Sequence, residues 1–421
     1  MSFRPIGPSS RLDAVLDPVI PELGELVRAN PGTLSLAQGM VDWGPPESVL
    51  AAVQLALQPD GQSRHKNPCE GLSAQPERDR YGPVCGDPAL LEALARHLSQ
   101  HHQLDTAGAD LWVTAGSNMA FQALAMVLCD GPASEPAELI LPVPWYFNHV
   151  MAVQLAGGRA VPVDAGLIPD PQRLAAAITP RTRAIVTVSP NNPSGVVFPR
   201  PVLAAINRLC AEHGLLHISD EAYSAFVHGD EAHWSPASLP GAAAHTATLL
   251  SLSKAYGMAG WRLGFMAVPA AFRAALAKVQ DTALICPPRL MQIAAHAALE
   301  AGPAWCAPRI VSLAPRRLAV IAAVTKARNA GLPVRLLAEP DGAFYALLAL
   351  DAAAAGVPSA EGLMRRLVLE HRVAAVSGDS FGLDARRLGP ALRLSYGLLA
   401  DAQLAEALER LFGGIRALLA A

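Results

Sequence analysis

Lysine is nearly absent from this chain: Lys66, Lys254, Lys278 and Lys326 stand against 29 arginines in 421 residues. Arginine fills almost every place where a plain surface cation suffices, so a lysine kept among hydroxyls and glycines invites a chemical reading. Charged residues amount to only 16% and hydrophobic ones to 52%, the balance of a well-buried globular protein rather than a disordered one. No uninterrupted apolar run reaches the roughly 18 residues that a membrane-spanning helix needs. The start, Met1-Ser-Phe-Arg-Pro5, lacks the apolar stretch of a secretion signal, so a cytoplasmic protein off the membrane is expected. The six cysteines form no CxxC pair and read as reduced, packed thiols. A net charge of −3 with interspersed signs leaves no footprint for nucleic acid. His97, His101 and His102 recur at one-turn spacing on a predicted helix, but no carboxylate or cysteine stands near them. They read as a solvated helix face, and no metal site is expected.

At this length two domains are the expectation. Residues 1–44 are rich in Pro and Gly and form an N-terminal arm. Residues 58–80 are polar, aperiodic and longer than loops in compact proteins usually are. Short β-rich runs then appear at 111–114, 138–142, 159–163, 184–189, 215–219, 246–252 and 263–268, mostly separated by helical stretches such as 117–129 and 200–212. That alternation predicts an α/β fold with a mostly parallel sheet sandwiched by helices, spanning 45–287. Beyond 287 long Ala/Leu/Arg helices, read over 291–301 and 307–330, give way to short strands, which predicts a smaller α+β domain over 288–421 entered by a long helix near Pro288. The closing helix, 401–419, is expected to break at Gly413-Gly414.

Ligands of such sheets bind beyond the carboxyl ends of the strands, and five pieces fall there. Thr114-Ala-Gly-Ser-Asn118 is a glycine turn whose amides can seat an anion at a helix N-terminus, or simply a tight connection. Pro144-Trp-Tyr-Phe147 offers an aromatic that can stack on a planar ring or join the core. Ser189-Pro-Asn-Asn-Pro-Ser-Gly195 fixes a turn whose asparagine can donate a hydrogen bond. His217-Ile-Ser-Asp-Glu-Ala-Tyr223 ends an apolar strand in Asp220, a carboxylate that needs a cationic partner or serves as a helix cap. Ser251-Leu-Ser-Lys254, with Arg262 eight residues on, joins an amine able to form a Schiff base to hydroxyl and guanidinium donors for a phosphate. Together they meet the requirements for pyridoxal 5′-phosphate.

The series Tyr81, Gly116-Ser-Asn118, Asn192-Pro-Ser-Gly195, Asp220-Glu-Ala-Tyr223, Ser251-Leu-Ser-Lys254, Arg262 and Arg393 resembles the class I/II aminotransferases of PLP fold type I, over nearly the whole chain. The resemblance implies a seven-stranded large-domain sheet and a homodimer with shared sites. It makes Lys254 the Schiff-base lysine and proton carrier. Asp220 would hold the pyridine nitrogen protonated, Asn192 and Tyr223 would bond the ring oxygen, and Tyr146, rather than Trp145, would stack on the ring. Gly116, Ser117, Asn118, Ser251, Ser253 and Arg262 would hold the phosphate, with Tyr81 reaching the phosphate of the partner subunit. Arg393 would clamp the substrate carboxylate, assisted by Asn192 and by the backbone of Gly39. The implied reaction is ping-pong transamination between an α-amino acid and a 2-oxo acid. Elimination, cyclase and aminocyclopropane-synthase chemistry use the same lysine and stay open. Asp42 and Trp43 can face a basic or aromatic substrate side chain or form a solvated loop, and no second arginine is assignable to a distal carboxylate.

Overall fold

The computed structural model of the chain describes residues 10–58, 76–132, 134–229, 233–351 and 359–420; most of the long polar stretch of 58–80 lies outside them. Its strands are β1 (Leu34–Ser35), β2 (Ala109–Thr114), β3 (Glu138–Pro142), β4 (Arg159–Val163), β5 (Thr182–Val188), β6 (Leu216–Asp220), β7 (Thr246–Ser251), β8 (Gly264–Pro269), β9 (Val334–Leu336), β10 (Tyr345–Leu350), β11 (Val373–Ala374), β12 (Val376–Ser377) and β13 (Ala391–Ser395). Seven of them form one sheet in the order β2-β8-β7-β6-β5-β3-β4. The steps from β7 through β6, β5 and β3 to β4 are parallel, and β8 runs antiparallel to both β7 and β2. The central strands β5 and β6 are buried almost end to end, as strands covered on both faces must be. The seven strands match the β-rich runs to within two residues at either end.

Two smaller sheets complete the chain. β12-β13-β10-β9 is antiparallel. β1 pairs in parallel with β11, and the Ser395 amide donates to Leu36 O at 2.7 Å. The N-terminal arm therefore runs beside β13, the strand that carries Arg393.

The helices depart from the sequence reading in two places. The stretch expected as one helix over 307–330 is divided: one helix runs Arg289–Val311, kinked at Gly302 (φ 67°, ψ −176°), and a second runs Ala314–Asn329. Pro303 and Pro308, which cannot complete the interior hydrogen-bond ladder, fall within the first. The closing helix, Asp401–Ala420, passes through Gly413-Gly414 without a break. Gly414 is buried where the Ala360–His371 helix crosses, and a Cβ there would stand 2.8 Å from Leu367 Cδ2 and 2.9 Å from the His371 ring. Close packing, not a turn, calls for that glycine. Gly413 has nothing within 4 Å of a would-be Cβ. G413A is expected to stabilise the protein by about 0.5–1 kcal/mol through helix propensity. G414A is expected to lose stability because its methyl must displace Leu367 and the His371 ring. Urea melts of the two variants check the ordering; equal midpoints would refute this account of Gly414.

Candidate active site

Strand ends gather the side chains. β7 ends in Ser251, β6 ends in Asp220, and the turn after β2 opens the helix Ser117–Leu128. One cavity of about 170 Å³ is lined by Ser117, Asn118, Tyr146, Asn192, Asp220, Tyr223, Ser251, Ser253, Lys254 and Arg262. Ten residues chosen from the sequence thus share one wall. Gly116 lies at its rim and Arg393 joins it through Asn192. Tyr81 does not: it is 80% exposed.

At one end the helix beginning at Ser117 has Gly116 as its cap, with φ 83° and no capping side chain, so its first amides point outward unpaired by a side chain. Arg262, itself in a left-handed conformation, lies against that glycine. A Cβ on Gly116 would stand 2.5 Å from the Arg262 guanidinium. Gly264, opposite, would meet the Ser117 amide at 2.6 Å. Only glycine fits at either position. Arg262 donates to the carbonyls of Ala259 and Ala115 at 2.9 and 3.5 Å and to no carboxylate among the described residues. A guanidinium, helix N-terminal amides and the Ser251 and Ser253 hydroxyls are donors of the kind that a phosphate takes.

At the other end Asp220, 4% exposed, lies 3.1 Å from His149 Nε2, and its Oδ1 accepts from the Ala222 amide at 3.1 Å. It caps its turn and still faces the cavity. His149 was not anticipated, though it follows Tyr146 by less than one helical turn and so faces the same way. Tyr146 lines the cavity and packs edge-on to His149 at 5.2 Å, whereas Trp145 turns away to donate to Ser380 O. Of the two aromatics, Tyr146 is the one on the wall of this cavity.

Asn192, 3% exposed, gives its amide oxygen to Arg393 Nη1 at 3.0 Å, which leaves its NH₂ to donate into the cavity. Tyr223 and Tyr345 exchange a hydrogen bond at 2.8 Å. Burial raises the pKa of both phenols and pushes that of Tyr146 up to about 12, so all three stay protonated donors. Tyr345 is the second side chain in contact with the site residues that the sequence reading missed. The register Leu347↔Arg393 puts it on the face of Arg393, two residues along, with its ring centroid 4.5 Å from the guanidinium. A Cβ on Gly39 would stand 2.6 Å from the Tyr345 hydroxyl, so the arm can lie here only as glycine.

Lys254 Nζ donates to Gly39 O at 2.6 Å. Burial, with Arg393 and Arg262 repelling against the attraction of Asp220, lowers its pKa from 10.5 to about 8. Arg393, 2% exposed, donates to Asn192 and to Ala37 O, and its Nε has no partner among the described residues. Asp42 and Trp43 are already engaged: Asp42 pairs with Arg316 at 2.6 Å, and Trp43 donates to Ala255 O and stacks near Phe226. Asp42 is an exposed loop residue tied by that ion pair, and Trp43 is partly buried against the core.

The depressed lysine has a consequence for stability. Folding disfavours its proton, so the cost is complete below about pH 8 and fades as pH rises towards 10.5. In cofactor-free protein K254M, which removes the buried ammonium, is expected to be more stable than wild type at pH 7 by on the order of 1–3 kcal/mol. The gap should narrow as pH rises through 8 to 10. Urea melts at pH 7 and pH 10 test this, and a gap that stays constant would exclude a titrating Lys254 as its source.

The comparisons with known proteins agree with the geometry. Residues 32–411 match the aminotransferase class I and II family. The chain is 31% identical to an aromatic aminotransferase of Arabidopsis thaliana, covering 96% of this chain and 94% of that protein. It is 33% identical to an aspartate/prephenate aminotransferase of Thermus thermophilus over 92% of each. It is 37% identical over 313 residues to an arginine–pyruvate transaminase of Pseudomonas aeruginosa. Among solved structures, the Thermus thermophilus aspartate aminotransferase with maleate superposes with a TM-score of 0.82 at 30% identity, covering 97% of this chain and all of that one. The seven-stranded sheet, the shared cavity and this similarity along the whole chain have one explanation: the protein belongs to the class I and II aminotransferases and is an enzyme that transfers amino groups.

Proposed function

We propose that Lys254 carries pyridoxal 5′-phosphate and that Arg393 clamps the carboxylate of an α-amino acid, whose amino group passes to a 2-oxo acid in two half-reactions. Enzymes of this family depend on that cofactor, and the cavity fits it. Glycine cradles at 116 and 264 leave room for a phosphate beside Arg262, and Asp220 waits at the far end for a protonated ring nitrogen. When bound, pyridoxal phosphate supplies an aldehyde that takes up the amino group and a ring that withdraws electrons from the carbon losing a proton.

The protein's residues do the rest. Asp220, backed by His149, holds a proton on the ring nitrogen; Asn192 Nδ2 and the Tyr223 hydroxyl donate to the ring oxygen; Tyr146 covers the ring. Lys254 Nζ, with a pKa brought to about 8, is neutral in a useful fraction near neutral pH and moves the α-proton. The observation that carries the reading is Arg393: a buried guanidinium with an orphaned Nε and no carboxylate partner among the described residues. Such a charge is costly unless an anion joins it, and Asn192, tied to it at 3.0 Å, links the carboxylate clamp to the ring.

The exposure of Tyr81 supports a homodimer in which it crosses to the partner's phosphate. The described cysteines, all free, suit a cytoplasmic setting, and among the described residues no helix is long and apolar enough to cross a membrane. With Asp42 held by Arg316, and with Arg262, the arginine among the described lining residues, set beside the phosphate cradle, a donor with a neutral side chain is favoured over a dicarboxylate.

A screen of amino donors against pyruvate and 2-oxoglutarate, with stoichiometric keto acid measured, identifies the pair. On the best donor R393A is expected to lower kcat/KM by about 30- to 5,000-fold, the 2–5 kcal/mol of a truncated buried charge pair. R393K should recover only part of it because it cannot bind bidentately. A loss under threefold for R393A would sink the clamp. K254A is expected to lose both turnover and the visible absorbance of the cofactor-loaded enzyme.

A further inference from the structure

One residue beyond Asp220 the chain turns a second carboxylate into a different cavity. Glu221, 1% exposed, divides its oxygens. Oε1 accepts from Ser219 Oγ at 2.9 Å and Ser235 Oγ at 2.7 Å. Oε2 faces His233 Nε2 at 2.9 Å and His102 Nδ1 at 3.3 Å. The histidine side chains are 10% and 7% exposed. This corrects the reading of 97, 101 and 102 as a solvated face: His101 is exposed, but His102, in the last turn of the Pro88–His102 helix, is folded in against a carboxylate from 119 residues away.

We propose that His102, Glu221 and His233 form a binding site for a divalent transition-metal ion of the zinc class. The three ligand atoms all lie within 4.8 Å of one another. A tetrahedral ion bound at about 2.0–2.2 Å holds its ligands about 3.3 Å apart, which small side-chain rotations reach from here. Two imidazole nitrogens with one carboxylate oxygen are a donor set that such ions take, whereas calcium and magnesium favour oxygen ligands alone. Ser219 and Ser235 hold the second carboxylate oxygen, the outer support that fixes a ligating carboxylate. The fourth position opens on a cavity of about 360 Å³ lined in part by His97, Tyr256 and Cys306, with space for a water or a small anion. None of the three ligands lines the lysine cavity, so the site is separate from the proposed chemistry. Its ligands come from a helix end, a strand end and the segment before Ser235, and an ion would tie these three together. The alternative is that the imidazoles merely donate hydrogen bonds to a buried carboxylate, and that reading predicts no retained metal.

The test uses the untagged, cofactor-loaded chain without amino acid, treated with a chelator and then titrated with Zn²⁺ or Co²⁺. About one equivalent per chain should survive desalting, and bound Co²⁺ should show the visible absorption of a low-coordinate nitrogen and oxygen site. H102A and H233A, checked for folding by circular dichroism, should retain under about a tenth of that, whereas H101A should retain it all. S235A should weaken the affinity by about 10-fold or more. Folded wild type that keeps under about a tenth of an equivalent would overturn the site, as would H102A binding like wild type. If H102A does not fold, H102Q takes its place, and the wild-type stoichiometry decides alone. These readouts involve no turnover, so they stand or fall independently of Arg393 and Lys254.

Discussion

Uncompensated positive charge in a desolvated pocket is the constraint around which the site is built. Arg393 and Arg262 both bear on Lys254 while Asp220 alone attracts it, and neither guanidinium has a carboxylate among the described residues. In water such a cluster would cost little; buried, each charge lacks its solvent and must find an anion. The same excess serves two purposes. Together with burial, the larger cause, it lowers the lysine toward the neutral amine, and it leaves room for two anions, one at each guanidinium. A phosphate and a carboxylate on one small-molecule assembly would satisfy both ends at once. The protein groups alone thus leave net positive charge in the pocket, and the fold has to be rigid enough to hold it there.

That rigidity comes from backbone close approach. Gly116 and Gly264 touch across the Arg262 cradle, and Gly39 lies against Tyr345 and Lys254 at the mouth. At each point a single methyl would push two segments apart. β13 adds the other support, because its pairing with β10 fixes Arg393 and Tyr345 on one face and the arm closes over it through Leu36. The positions of the charges are thus set by main-chain contacts, which do not relax as flexible side chains would.

Much of this was legible before the structure. Alternating apolar runs located all seven strands, since the burial of β5 and β6 on both faces leaves a signal that short-range pattern detects. Lys254 stood out by scarcity, and the pieces at the strand ends converged as a parallel sheet requires. What sequence could not show was packing between distant segments. Gly413-Gly414 looks like a break because glycine weakens helices, yet the second glycine is there for the crossing of a helix some 40 residues earlier. His149 and Tyr345 carry no motif of their own; only the register opposite Arg393 and the helical turn after Tyr146 place them. His102 looked solvated because its carboxylate, Glu221, comes from the residue that follows β6.

Asp220 and Glu221 make the last point of physics. At the end of β6 successive side chains point to opposite sides, so two adjacent acids serve two cavities. Each must be neutralised separately, because the low dielectric that strengthens a partner's attraction also penalises an unpartnered charge. Asp220 has His149 at 3.1 Å, and Glu221 has His102 and His233. Imidazoles thus stand against an acid on either side of one strand end. A single histidine suffices where a ring cation is expected to arrive. Two histidines and two serines surround the acid that has no such visitor, and that surplus of nitrogen donors around one carboxylate is what a metal ion would use.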